Sequence, residues 1–128
     1  MSTTLGLRLA ALWNLAAAAG ALLLTETNLS MFFQLPSPQP PGVMVIFYSL
    51  WIMVLTLGVA YGIAATNLRF RDGILVVGAI GKTSVFVAWT AAFVAGSGTP
   101  MLLVGGIGDL AFAVWFVWLL RNPTPEQR

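Results

Sequence analysis

Cysteine and histidine are both absent from this 128-residue chain. Their absence excludes disulfides, thiolate nucleophiles, zinc sites of the Cys/His type, His-ligated haem and imidazole acid–base catalysis. Charge is scarce as well: 8% of the residues are charged and 59% are hydrophobic, whereas a soluble domain devotes about a quarter of its residues to charge. A chain this short has no soluble core large enough to hide that much apolar surface. It belongs in a bilayer. Of the six Lys and Arg, against four Asp and Glu, all but Arg8, near the start of the first apolar run, and Lys82 fall in a short connection or the tail, which marks membrane orientation rather than nucleic-acid binding.

What is present is four apolar runs, at about 5–24, 43–65, 73–95 and 101–120, each long enough to cross about 30 Å of hydrocarbon at ~1.5 Å per residue. The fold expected is therefore all-α, an integral membrane four-helix bundle running up-down-up-down as a single domain. In the first run a basic start and Ala16 to Ala19 imitate a secretory signal peptide, but Asn14 suits such a segment poorly. Asn14 lies on a small-residue face with Ala10, Ala11, Ala17 and Ala18, so an interhelical hydrogen bond is its plainer reading and a ligand contact the alternative. Gly58 and Gly62, four apart in the second run, have the spacing of a close helix contact. Tyr61, near the end of that run, reads as an interfacial anchor.

The connections set orientation. Residues 25–42 form an external loop: Asn28 to Phe33 mixes polar and large apolar residues, as a short interfacial helix would, and Pro36, Pro38, Pro40 and Pro41 impose an extended path. Asn28-Leu29-Ser30 matches a glycosylation acceptor, a triplet common by chance. Thr66 to Asp72 is a short polar hairpin with Arg69 and Arg71, Gly96 to Pro100 a tight turn, and 121–128 a solvated tail. Every Lys and Arg except Lys82 falls on the side of the two termini. The positive-inside rule puts that side in the cytoplasm of a plasma or bacterial inner membrane.

Lys82 and Asp109 are the two charges set deep inside apolar runs. Ten Ile, Leu, Val and Phe residues in the third run offset the roughly +2.5 to +3.5 kcal/mol of a central Lys, so that run still inserts. Gly81-Lys82-Thr83 resembles the end of a phosphate-binding loop, but Val76 stands where that motif needs its first Gly. Counted from the basic loop and from Arg121, Lys82 and Asp109 lie at similar depth, about 15 and 18 Å, on runs joined by a short turn. A contact between them is expected. Asn14, Tyr61, Thr83 and Ser84 are the polar residues that could complete a pocket there, with Trp89 and Phe112 among the aromatic ones.

The length and four-span layout resemble those of small multidrug transporters and of dual-topology fluoride channels. The first run carries Arg8 and Asn14 where the transporters have a membrane-embedded Glu, the Lys/Arg asymmetry argues against dual insertion, and no internal repeat is visible. Three functions fit. Scarcity of reactive groups puts first a non-catalytic subunit or scaffold of a membrane complex, or a self-associating bundle using Gly58/Gly62 and Gly105/Gly106 as contact faces. The second is a transporter or channel component moving a small solute or proton past Lys82 and Asp109. The third is an intramembrane isomerase or cyclase for an isoprenoid or sterol-like ligand, with Asp109 and Lys82 as acid and base and Trp13, Trp51, Trp89 and Phe112 around its hydrocarbon. Expected partners are the bilayer, other subunits or a second copy, and a small lipophilic ligand; no cofactor or metal is expected. A scaffold requires no cavity, a channel requires a wet axial path, and an enzyme requires an apolar cavity beside Asp109.

Overall fold

A computed structural model describes residues 3–33, 35 and 39–122. All of its regular structure is helical: α1 (Thr3–Leu23), α2 (Thr25–Phe33), α3 (Pro41–Thr66), α4 (Arg71–Val94) and α5 (Met101–Arg121), with a 3-10 turn at Leu68–Phe70 before α4. Four of the five, all but α2, are long and apolar enough to cross a membrane. Their outward faces carry large apolar side chains such as Ile46, Ile80, Val94 and Val114, the surface expected of helices whose solvent is lipid.

The helix ends follow local chemistry. Pro41 opens α3 at its first turn, where a missing N–H costs nothing. At the end of α4, Gly96 takes a φ of 73°, its N–H reaching Phe93 O and that of Ser97 reaching Ala92 O. This left-handed glycine closure satisfies carbonyls that the helix itself cannot. The stiff path expected at Pro36 and Pro38 and the tail at 123–128 lie outside the described residues. The first half of the connection from α1 to α3 is the short helix α2, and the turn after α4 holds its end: Thr99 donates from its amide to Phe32 O at 2.9 Å and from its hydroxyl to Met31 O. Asn28 lies within this helix with its Oδ1 buried, not in an open loop.

Packing is strongest within two pairs, α1 with α3 and α4 with α5. One buried cluster joins Leu7, Ala10 and Ala11 of α1, Tyr61 and Ala64 of α3, Leu75 of α4, and Phe116 and Leu119 of α5. A second, towards the other end, joins Ala18, Ala21, Leu29, Phe47 and Trp51. Glycines let aromatic rings close against facing helices: a Cβ on Gly78 would stand 2.5 Å from the Tyr61 hydroxyl, one on Gly105 2.5 Å from the Trp89 ring and one on Gly108 2.5 Å from the Trp13 ring, and one on Gly6 would overlap Trp115.

Three sequence readings change here. Tyr61 has no exposed surface and packs on Phe116 at 5.2 Å between ring centres, so it is a core residue and not an interfacial anchor. Gly62 faces open space while Gly58 meets Leu15 and Asn14; the four-residue spacing does not make one contact face. Arg71 is buried, not looped out: it starts α4 and donates to Leu119 O at 2.6 Å, supplying a cation to carbonyls at the C-terminal end of α5.

Candidate functional site

Asn14, Lys82 and Asp109 occupy the middles of α1, α4 and α5. A helix in hydrocarbon satisfies its own backbone, so a polar side chain at that depth must find another side chain or an open carbonyl. Lys82 Nζ donates to Asp109 Oδ1 at 2.5 Å and to Asn14 Oδ1 at 2.9 Å. Asn14 in turn donates from Nδ2 to Val54 O on α3 at 3.3 Å, an approach that the missing side chain of Gly58 permits. Trp13 Nε1 donates to the same Asp109 oxygen at 3.1 Å. The result is one connected network through all four long helices.

Electrostatics explain the composition of this network. A buried ammonium alone would cost several kcal/mol; an opposing carboxylate offsets part of that only with good geometry and further hydrogen bonds. Lys82 has both, and its Nζ also lies 5.2 Å from the Phe112 ring centre and 5.9 Å from that of Tyr61, within range of cation–π attraction. Its side chain is 5% exposed, whereas that of Asp109 is 16% exposed. The carboxylate is the more accessible partner.

Its exposure is to a cavity of about 640 Å³ between the two helix pairs, with Asn14, Lys82 and Asp109 at one place on its wall and apolar or aromatic side chains elsewhere. Trp13, Trp51, Trp89 and Phe112 all line it, as do Leu12, Met53 and Val104. The last three are more than half exposed. A concave apolar space with a few convergent polar groups is the usual form of a small-molecule site, and the volume lies in the usual range for one.

The candidate residues separate cleanly. Asn14, Lys82, Asp109, Trp89 and Phe112 meet at the cavity. Tyr61 contributes only a ring face near Lys82, and its hydroxyl is buried with no hydrogen-bond partner among the described residues. Thr83 and Ser84 are exposed and border a groove on the outer surface with Ile80, Val87 and Val117; the structure does not bring them to Asp109. The interhelical hydrogen bond expected of Asn14 is present, to Val54 O and from Lys82; the indole of Trp13 as a donor to the carboxylate was not anticipated. The position of Trp13 beside Asn14 gave no signal for that bond, because adjacent helical residues point about 100° apart. Among the described residues no three acidic side chains cluster as a metal site would require.

Comparison with known proteins gives no match: no family model, no curated protein and no solved structure resembles this chain closely enough to be aligned with it.

Proposed function

We propose that this protein binds a lipophilic molecule in the cavity between its two helix pairs and acts on it as an intramembrane isomerase or cyclase through Asp109 and Lys82. The observation that carries the reading is the apolar space of about 640 Å³ that ends on an accessible carboxylate. In such a reaction a proton passes from one atom of the ligand to Asp109 and returns to another, so the sum is redox-neutral. Lys82, Asn14 and Trp13 hold the carboxylate in place for this exchange. Exposed lining residues such as Leu12, Met53 and Val104 support entry from the lipid side. The scaffold reading has less support, because Gly58, Gly105 and Gly106 are already covered by side chains of this same chain.

The same reading places the chain as an up-down-up-down bundle with both termini in the cytoplasm of a plasma or bacterial inner membrane. The grouping of residues from the start of α1, the end of α3, the start of α4 and the end of α5 into one buried cluster supports it, as does the Lys/Arg asymmetry. Since the chain has no cysteine, single Arg69→Cys and Ser97→Cys variants report sidedness directly. Labelling of Arg69→Cys from outside intact cells would reverse the orientation.

The deciding experiment is mass spectrometry of lipophilic molecules retained by the purified protein. Wild type is expected to retain a species that Val85→Trp, which adds bulk to the cavity wall and leaves Lys82 and Asp109 themselves unsubstituted, loses. A second reading, in which the pair only fixes helix register, draws on the near-complete burial of Lys82. It wins if wild type retains nothing and a Lys82→Met/Asp109→Leu double variant regains the yield that each single variant loses.

A further inference from the structure

The polar end of the cavity also specifies what kind of head group it takes. An ammonium has three N–H donors. Two of those on Lys82 go to Asn14 Oδ1 and Asp109 Oδ1, and the rings of Phe112 and Tyr61 close on the same group. The third N–H of Lys82 belongs to a side chain 5% exposed and the second Nδ2–H of Asn14 to a residue 3% exposed, so both offer a ligand little surface. The indole N–H of Trp13 is likewise engaged by Asp109. Both bonds to Asp109 end on Oδ1; Oδ2 accepts none among the described residues, and the side chain keeps 16% of its surface accessible. What the cavity offers most openly at its polar end is therefore an acceptor, Asp109 Oδ2.

Net charge narrows the choice further. The lining holds one cation and one anion, Lys82 and Asp109, already joined. An anionic head would set a second negative charge against Oδ2, with no free cation to meet it. A cationic head could donate, but it would leave water for an apolar space whose counter-charge is already taken, and stripping an ion of water costs far more than stripping a hydroxyl. A carbonyl or ether oxygen would face the carboxylate with nothing to donate.

We infer that the ligand carries a neutral hydroxyl at its polar end and donates it to Asp109 Oδ2, the hydrocarbon lying along Trp13, Trp51 and Trp89. This rests on the reading of the cavity as a ligand site and names the group that meets the carboxylate.

The test uses wild-type protein in lipid nanodiscs and its own tryptophan fluorescence, since three of the five tryptophans line the cavity. The probes are octadecyl chains brominated at mid-chain, which quench indole on contact, bearing an alcohol, a methyl ether, a carboxylate or an ammonium head. The alcohol is expected to quench saturably, with half-saturation at about a tenfold lower mole fraction than the ether, as one hydrogen bond to a charged acceptor would give. Carboxylate and ammonium are expected to be at least as weak as the ether. Asp109→Leu should erase the difference between alcohol and ether. Saturable quenching that is equal for all four heads, or strongest for an ionic one, overturns the hydroxyl assignment while leaving the cavity as a binding site. Absence of saturable quenching by every probe overturns the cavity reading itself.

Discussion

Lys82 and Asn14, 68 positions apart in the chain, stand 2.9 Å from each other in the middle of the helices, the ammonium donating to the amide oxygen. Through this contact α4 is tied to α1, and through the Asn14 bond to Val54 O to α3 as well. The ion pair with Asp109 is thus one edge of a larger network, and the consequences of breaking it depend on which partner remains.

Removing the carboxylate should be worse than removing the ammonium. Asp109→Ala leaves a cation that is almost wholly enclosed, with Asn14 as its sole remaining hydrogen-bond partner; Lys82→Met leaves a carboxylate that is partly accessible and still bonded to Trp13. Breaking a buried pair costs about 3–5 kcal/mol when one charge is stranded. Asp109→Ala is expected near the upper end of that range and Lys82→Met about 1–2 kcal/mol milder, read as thermal unfolding in detergent or nanodiscs. Equal losses would mean the two groups are equally solvated.

Glycine substitutions distinguish internal packing from self-association. Gly108→Ala drives a methyl into the Trp13 ring, and Gly105→Ala into that of Trp89. Each is expected to cost about 1–3 kcal/mol, the usual range for overpacking, and the first should also loosen the indole bond to Asp109. Gly62→Ala meets open space and should be neutral or slightly stabilising because alanine favours helix. Loss of an oligomer in Gly62→Ala, seen by cross-linking, would instead give that face a role between copies.

Arg69 and Arg71, equivalent as markers of orientation, should differ sharply in stability. Arg71→Met removes the charged donor to Leu119 O and is expected to cost about 1.5–3 kcal/mol, the range for hydrogen bonds to charged groups. Arg69 is exposed, and Arg69→Met should change the unfolding temperature little. The comparison needs only thermal melts of the two variants.

Thr99→Val deletes the hydroxyl that donates to Met31 O and accepts from the Met101 amide, only the first of which holds α2, while keeping the amide bond to Phe32 O. A single neutral hydrogen bond is worth about 1 kcal/mol. Amides of α2 are expected to exchange with deuterium roughly fivefold faster, with those at the middle of α4 unchanged. Uniform acceleration throughout the chain would mean that α2 opens only with the whole bundle.

Much of the architecture could be read before any coordinates. Hydrophobicity adds up along a segment, so four long apolar helices follow from composition alone. The approach of Lys82 to Asp109 follows almost as directly: a short turn joins their helices and both stand at one depth, so the chain itself sets the register. What composition left open was which way each helix turns. Segments apolar on every side carry no stripe to mark the inward face, and neighbours such as Lys82 and Thr83 therefore looked equally suited to a pocket. Tertiary packing decided it, seating rings on Gly78, Gly105 and Gly108, and with them it sent Thr83 and Ser84 outward, buried Tyr61, and turned Asn14 and Trp13 toward the charges. The cavity is likewise a product of packing, since it lies between two helix pairs that are each tightly joined but whose backbones come close to one another in few places. Space left between elements has no counterpart in the order of residues along the chain.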